Sequence, residues 1–157
     1  MKKDNLSIES QVGFLLYVCS REGQKFFTKY HGDSGLTYTQ YLVMMVMWAY
    51  KDTTSKELGN ALDLDSGTLT PLLRKLEERD LITKKRNADD ARNLDLEITK
   101  TGEELCERIM DKRKTNIEHI NNQLSDDNTP MTRDELRELR RLLNKYRELL
   151  SYQKNLH

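Results

Sequence analysis

Three residues, Asp63-Leu64-Asp65, separate two short amphipathic patterns, and this gap constrains the fold more than any other stretch. Upstream, Ser55 to Leu62 follows a capping box: Thr54, with Glu57 three residues later, satisfies free backbone N–H groups reciprocally. Downstream, Leu69, Leu72, Leu73 and Leu76 keep the i, i+3, i+4, i+7 spacing of a buried helical stripe. Two helices joined by so short a turn form a helix-turn-helix, whose second helix can enter a DNA major groove. After them come "LITKKR" and "NLDLEIT", parted by the polar "NADDAR". Leu94, Leu96 and Ile98 alternate with Asp95 and Glu97, the period of a half-buried strand, so this pair reads as a β-hairpin. Helix, turn, helix and hairpin in one run is the order of a winged helix.

The rest of the chain reads as helical, since seven glycines and two prolines in 157 residues leave little for loops. Further capping boxes fit Thr37 with Gln40, Thr101 with Glu104 and Thr132 with Glu135, each ahead of an apolar-periodic run. Leu36 with Tyr41, and Met131 with Leu136, stand where a hydrophobic staple would close. The expected long helices run from about Ser7 to Tyr30, Tyr38 to Ala49, Gly102 to Leu124 and Arg133 to Tyr152. The fold class is therefore mainly α with a small β-hairpin. Residues 1–36 are expected to contribute an N-terminal dimerisation helix, 37–100 the winged helix-turn-helix, and 101–157 a C-terminal helical dimerisation region. Leu136, Leu139, Leu143, Tyr146 and Leu150 form a 3-4-3-4 seam. A core this thin with apolar helices this long points to burial against a second copy, a homodimer.

Lys and Arg balance Asp and Glu at 26 each, so net charge says nothing for nucleic acid and the case rests on local patterning. Cys19 and Cys106 lie in helical patterns without metal-ligand spacing, and no signal peptide opens the chain. "QYLVMMVMWAY" is too short to span a bilayer, which makes it a core helix of a soluble, cytoplasmic protein with no membrane partner. His31, His119 and His157 are scattered, and no nucleophile–base pair, phosphate loop or metal cluster is recognisable. Neither an enzyme nor a cofactor or metal site is expected.

With the leucine stripe turned inward, Gly67, Thr70, Pro71, Arg74 and Lys75 lie on or beside the opposite face of the second helix. Small residues there let the backbone approach DNA; Ser66, Thr68 and Thr70 can donate to phosphates or touch base edges, and Arg74 reaches further. After Asp65 no carboxylate appears until Glu77, leaving the helix's positive end to a phosphate. If Asp65 caps this helix, Pro71 sits deep enough to bend it slightly. Lys84, Lys85 and Arg86 run up one hairpin strand as expected DNA-contacting cations, the lysines on phosphates flanking a wing arginine, Arg92, placed to reach a minor groove from the tip. Asp89 or Asp90 can pair with Arg92 and hold it. The competing reading is a winged-helix protein-interaction module that reads no DNA, supported by the zero net charge and the acid-rich tip.

The stretch from Leu58 to Gly102 resembles the winged-helix core of the MarR family of bacterial transcriptional regulators. Within it "LDSGTLTPLLRKLE", with the upstream "LTYTQYLVM" and "FLLYVCSRE", is similar to the organic-hydroperoxide-sensing branch, the OhrR-like and SarZ-like proteins. The resemblance spans residues 9 to 102 closely and implies a homodimer that reads a near-palindromic operator, with repression relieved by a signal. It assigns recognition-helix roles to Ser66, Gly67, Thr68, Thr70, Pro71 and Arg74, the wing role to Arg92, and support of that arginine to Asp90.

The branch's sensor does not carry over. Its reactive cysteine would fall at Gly13, and the two tyrosines that hydrogen-bond to the thiolate align with Phe27 and Tyr38. Cys19, six residues along, lies about 120° round the helix from Gly13. It sits in an apolar stretch, where a buried, inert cysteine is the expectation, as for Cys106. Gly13 in mid-helix costs about 1 kcal/mol against Ala. The expected return is a small space beside Phe14, Tyr17 and Tyr38 for an apolar or phenolic ligand.

Overall fold

The computed structural model describes residues 11–51, 53–87, 93–123 and 131–154, except the side chains of 117–123 and 153–154. Helix α1 (Val12–His31) leads through a 3-10 turn (Gly32–Ser34) to α2 (Tyr38–Tyr50). Strand β1 (Thr53–Thr54) precedes α3 (Ser55–Leu62) and α4 (Ser66–Glu77), and strands β2 (Ile82–Arg86) and β3 (Leu94–Ile98) follow. Two long helices, α5 (Lys100–Gln123) and α6 (Arg133–Lys154), complete the chain. It divides into two units, residues 1–116 and 117–157.

The capping boxes at Thr37, Thr54 and Thr132 all form: each hydroxyl accepts the N–H of the third helical residue, whose side chain accepts the threonine N–H in return. The box expected at Thr101 does not. Helix α5 begins two residues earlier, at Lys100, and Thr99 caps it by accepting the Gly102 N–H at 3.0 Å. The Thr99 hydroxyl also donates to the Asp80 carbonyl at 2.6 Å, and its N–H donates to Leu81 O. A tertiary contact has therefore fixed this helix start, and Gly102 lies against the Leu81 carbonyl, where a Cβ would come within 2.2 Å of the oxygen. The expected start of α1 at Ser7 lies outside the described residues.

The sheet has three strands in the order β1-β3-β2, all antiparallel, one more than the expected hairpin. Ile82 pairs with Ile98 and Lys84 with Leu96 across the hairpin, while Thr53 pairs with Leu96 on the other edge. Helices α2, α3 and α4 pack Met44, Met47, Leu58, Leu73 and Leu76 with Ile82 and Leu96 of the sheet. Phe27 from α1 and Leu105, Cys106 and Ile109 from α5 join the same core. Full burial of each such Leu, Ile or Met is worth about 1.5–3 kcal/mol. In α6 the seam residues Leu136, Leu139, Leu143 and Leu150 are 39–50% exposed. Among the described residues no helix is long and apolar enough to cross a membrane.

Candidate nucleic-acid interface

Asp63 closes α3 in the left-handed conformation (φ 51°), which a short polar side chain tolerates, and two residues later Asp65 caps α4. The turn orients α4 so that Leu69, Leu73 and Leu76 are buried, while Ser66, Gly67, Thr68, Thr70, Pro71, Arg74 and Lys75 are all exposed on the other side. The leucine stripe and the small-residue face separate as the spacing requires. Pro71 is accommodated inside a helix that runs unbroken from Ser66 to Glu77, leaving the Gly67 carbonyl without its usual i+4 donor.

Charge on this face is more committed than the sequence suggests. The Asp65 carboxylate accepts from the Thr68 N–H at 2.8 Å and its hydroxyl at 3.1 Å, and the first of these bonds holds its pKa below the ordinary aspartate value. The positive end of α4 thus already faces an anion, and Thr68 must exchange partners to donate elsewhere. Arg74 lies 3.3 Å from Glu78 in a highly exposed pair, which solvent makes weak and easily surrendered to a phosphate.

The basic strand does not present three cations to one face, because successive side chains of a strand point to opposite sides. Lys84 turns toward α4 and pairs with Glu77 at 2.7 Å, its side chain only 19% exposed. Lys85 points the other way and reaches both carboxylate oxygens of Glu97 at 3.0 Å. Arg86 is exposed and forms no ion pair among the described residues. Arg92 and Asp90, with the rest of the wing tip, lie outside the described residues.

Sequence reasoning gave α3 no role, yet Lys56 and Asn60 line a cleft of about 340 Å³ together with Ser66, Thr70 and Asn93. Ser55 fastens its rim, its hydroxyl accepting the Leu94 N–H at 3.1 Å. The signal was present in the exposed positions of α3, but only packing shows that they adjoin α4.

The candidate sensor residues split into two groups. Phe27 and Tyr38 line a second cavity of about 340 Å³, bounded by Gly23, Phe26, His31, Tyr41, Leu42 and Arg113. Gly13, Phe14, Tyr17 and Cys19 do not line it, contrary to the space expected beside Tyr38. The reason is axial distance: Gly13 and Phe27 are fourteen residues apart on one helix, about 20 Å. Gly13 is exposed, with nothing within 4 Å of an added Cβ. Cys19 is exposed, where a buried thiol was expected, because the apolar first half of α1 has no cover among the described residues. Cys106 is buried as expected, and burial pushes its thiol up to about 12. His31, one of the three histidines read as scattered and without a role, is the buried last residue of α1. It is 3% exposed with no partner for Nδ1 among the described residues, and desolvation lowers its pKa below the ordinary 6.5; nearby Asp33 opposes that shift, while Lys112 and Arg113 reinforce it.

Comparison with known proteins agrees with this architecture. Residues 25–109 match the family described as transcriptional regulator SarA/Rot. The organic hydroperoxide resistance transcriptional regulator of Bacillus subtilis is 40% identical over 110 residues, 70% of this chain and 75% of that protein. The HTH-type transcriptional regulator SarZ of Staphylococcus saprophyticus is 43% identical over 108 residues, 69% of this chain and 73% of its own. The structure of reduced AbfR bound to DNA superimposes with a TM-score of 0.76 at 27% identity, covering 98% of this chain and 99% of that one. The chain belongs to the SarA/Rot family of transcriptional regulators and carries the winged-helix fold of the MarR proteins.

Proposed function

We propose that two copies of this chain bind a near-palindromic operator in double-stranded DNA and repress transcription until a small-molecule or oxidative signal releases them. The observation that carries this reading is the exposed small-residue face of α4, its leucines buried, beside a hairpin whose outer strand ends in Arg86. Ser66, Gly67, Thr70 and Pro71 bring the helix close to the groove, Thr68 and Arg74 exchange intrachain partners for DNA, and Lys75 faces a phosphate. On the wing Lys84 and Lys85 buttress the strand through Glu77 and Glu97, leaving Arg86 and Arg92 as the reaching cations. Asp90 holds Arg92. AbfR, which shares the fold, has been solved on DNA in both reduced and overoxidised states. The uncovered apolar residues of α1 and α6 support the homodimer. Beyond the zero net charge and the acid-rich tip, the described residues add nothing in favour of a protein-interaction module without DNA reading.

For the signal, the cavity beside Phe27 and Tyr38 suits a small apolar or phenolic ligand, while exposed Cys19 is the thiol open to oxidant. Gly13, Phe14 and Tyr17 meet the Tyr38 region only if a second chain brings them there. Operator titrations repeated with phenols and with an organic hydroperoxide separate the two signals.

The wing assignment is tested by Arg92→Ala. Operator affinity falls by about 1–3 kcal/mol, the worth of an arginine reading DNA, while the dimer persists in sedimentation. Unchanged affinity refutes it.

A further inference from the structure

The turn after α4, Glu78 to Leu81, is held from two sides. On one side Thr99 binds the Asp80 carbonyl and Leu81 O, tying the turn to the start of α5. On the other side Arg79 forks onto the connection between α1 and α2. Its Nη1 donates to Gly35 O at 2.7 Å and its Nη2 to Ser34 O at 2.9 Å, across 44 and 45 residues of sequence. Two parallel bonds from a planar guanidinium to successive carbonyls fix orientation as well as distance. The receiving loop is shaped for it. Gly35 is left-handed (φ 65°), and an added Cβ there would meet Arg79 Nη2 at 3.2 Å. The same loop is tied to α5 by the Asp33–Lys112 ion pair and follows directly on buried His31. Glu77 pairs with Lys84 and Glu78 lies beside Arg74, so in this structure neither carboxylate is paired with Arg79.

We propose that Arg79 is a positioning residue: it bolts the C-terminal end of the recognition helix to the α1–α2 loop and so sets the pose in which α4 meets DNA. It acts through α4 and touches no base. A dimer reads its two half-sites at a distance fixed by how rigidly each recognition helix is held to the scaffold. Loosening this bolt therefore relaxes half-site spacing before it removes binding. This inference rests on the operator-binding reading above.

The test uses full-length protein and a duplex selected by the wild type from a randomised pool, with versions carrying one base pair more or fewer between half-sites. For Arg79→Ala, affinity for the selected spacing falls roughly three- to ten-fold, the loss expected for one or two exposed charge-assisted hydrogen bonds. The discrimination between spacings shrinks, the salt dependence keeps its slope, and Arg79→Lys restores only part of the discrimination. Gly35→Ala, which crowds the guanidinium from the loop side, gives the same relaxation without changing any charge. A salt slope shallower by about one in Arg79→Ala marks a phosphate contact and overturns the proposal. Unaltered spacing discrimination in both variants, with wild type binding tightly, overturns it while leaving the operator reading intact. If wild type selects no sequence at all, the operator reading fails and the positioning role with it.

Discussion

Two glycines, both inside helices, respond to alanine with opposite signs. At Gly102 an added Cβ lies 2.2 Å from the Leu81 carbonyl oxygen, 2.8 Å from Ile98 Cγ1 and 3.1 Å from the Leu81 carbonyl carbon. The first and last are backbone atoms of the turn after the recognition helix, so relief requires the helix start and the turn to part by about 1 Å, an overpacking that costs about 1–3 kcal/mol. Parting them also stretches the Thr99–Asp80 hydrogen bond, worth about 0.5–1.5 kcal/mol net. Against this stands the helix preference for Ala over Gly, up to about 1 kcal/mol. Gly102→Ala is therefore destabilising by about 1–3 kcal/mol, a fall in Tm of roughly 5–12 °C for a unit of this size. Gly13, expected in mid-helix, is the second residue of α1; nothing lies within 4 Å and only part of the interior propensity gain of about 1 kcal/mol remains, so Gly13→Ala stabilises by a few tenths of that figure. Urea unfolding followed by far-UV circular dichroism, at one fixed protein concentration because association shifts the midpoint, measures both. Gly102→Ala as stable as wild type would refute the argument that Leu81 O pins the turn to α5.

Two further outcomes follow from buried groups. His31 resists protonation when folded, its pKa lowered by burial, so the unfolded chain binds the extra proton first and stability falls as pH drops below 6.5 toward the folded value. His31→Gln flattens the urea midpoint between pH 7.5 and 5.5, and a wild-type midpoint no more pH-dependent than the variant's contradicts this. Cys106, buried and with its thiol raised to about 12, escapes alkylation by iodoacetamide at neutral pH until urea is added. Prompt labelling of Cys106 in the folded protein, read by mass spectrometry, would contradict its burial.

What was legible in the sequence was local. The helix starts at Tyr38, Ser55 and Arg133 are set by threonine boxes that close within four residues, and the two faces of α4 follow from its leucine spacing alone. The misplaced start of α5 turned on Thr99 meeting Asp80, nineteen residues away, which no local pattern records. Strand β1 is two residues long and exists through pairing with β3, so it has no periodicity to read. The pairing of the basic strand was not legible, because the partners of Lys84 and Lys85, Glu77 and Glu97, come from α4 and β3. Cys19 sits in an apolar run, but apolar runs announce burial without saying against what; here the first half of α1 is left exposed by the described residues. The exposed small-residue face of α4 was readable as a pattern, whereas the cavity beside Tyr38 was not, since His31 and Arg113 reach it from helices far apart in the sequence.

The central claim is that this chain reads DNA as a dimer through α4 and the wing. A fluorescence-anisotropy titration against duplex from this gene's own upstream region, run across a salt series, tests it most directly. Saturation at two chains per duplex, with log affinity falling linearly and steeply as log salt rises, is the result the account predicts. Weak association with a flat salt dependence, no different from that for random duplex, would contradict it.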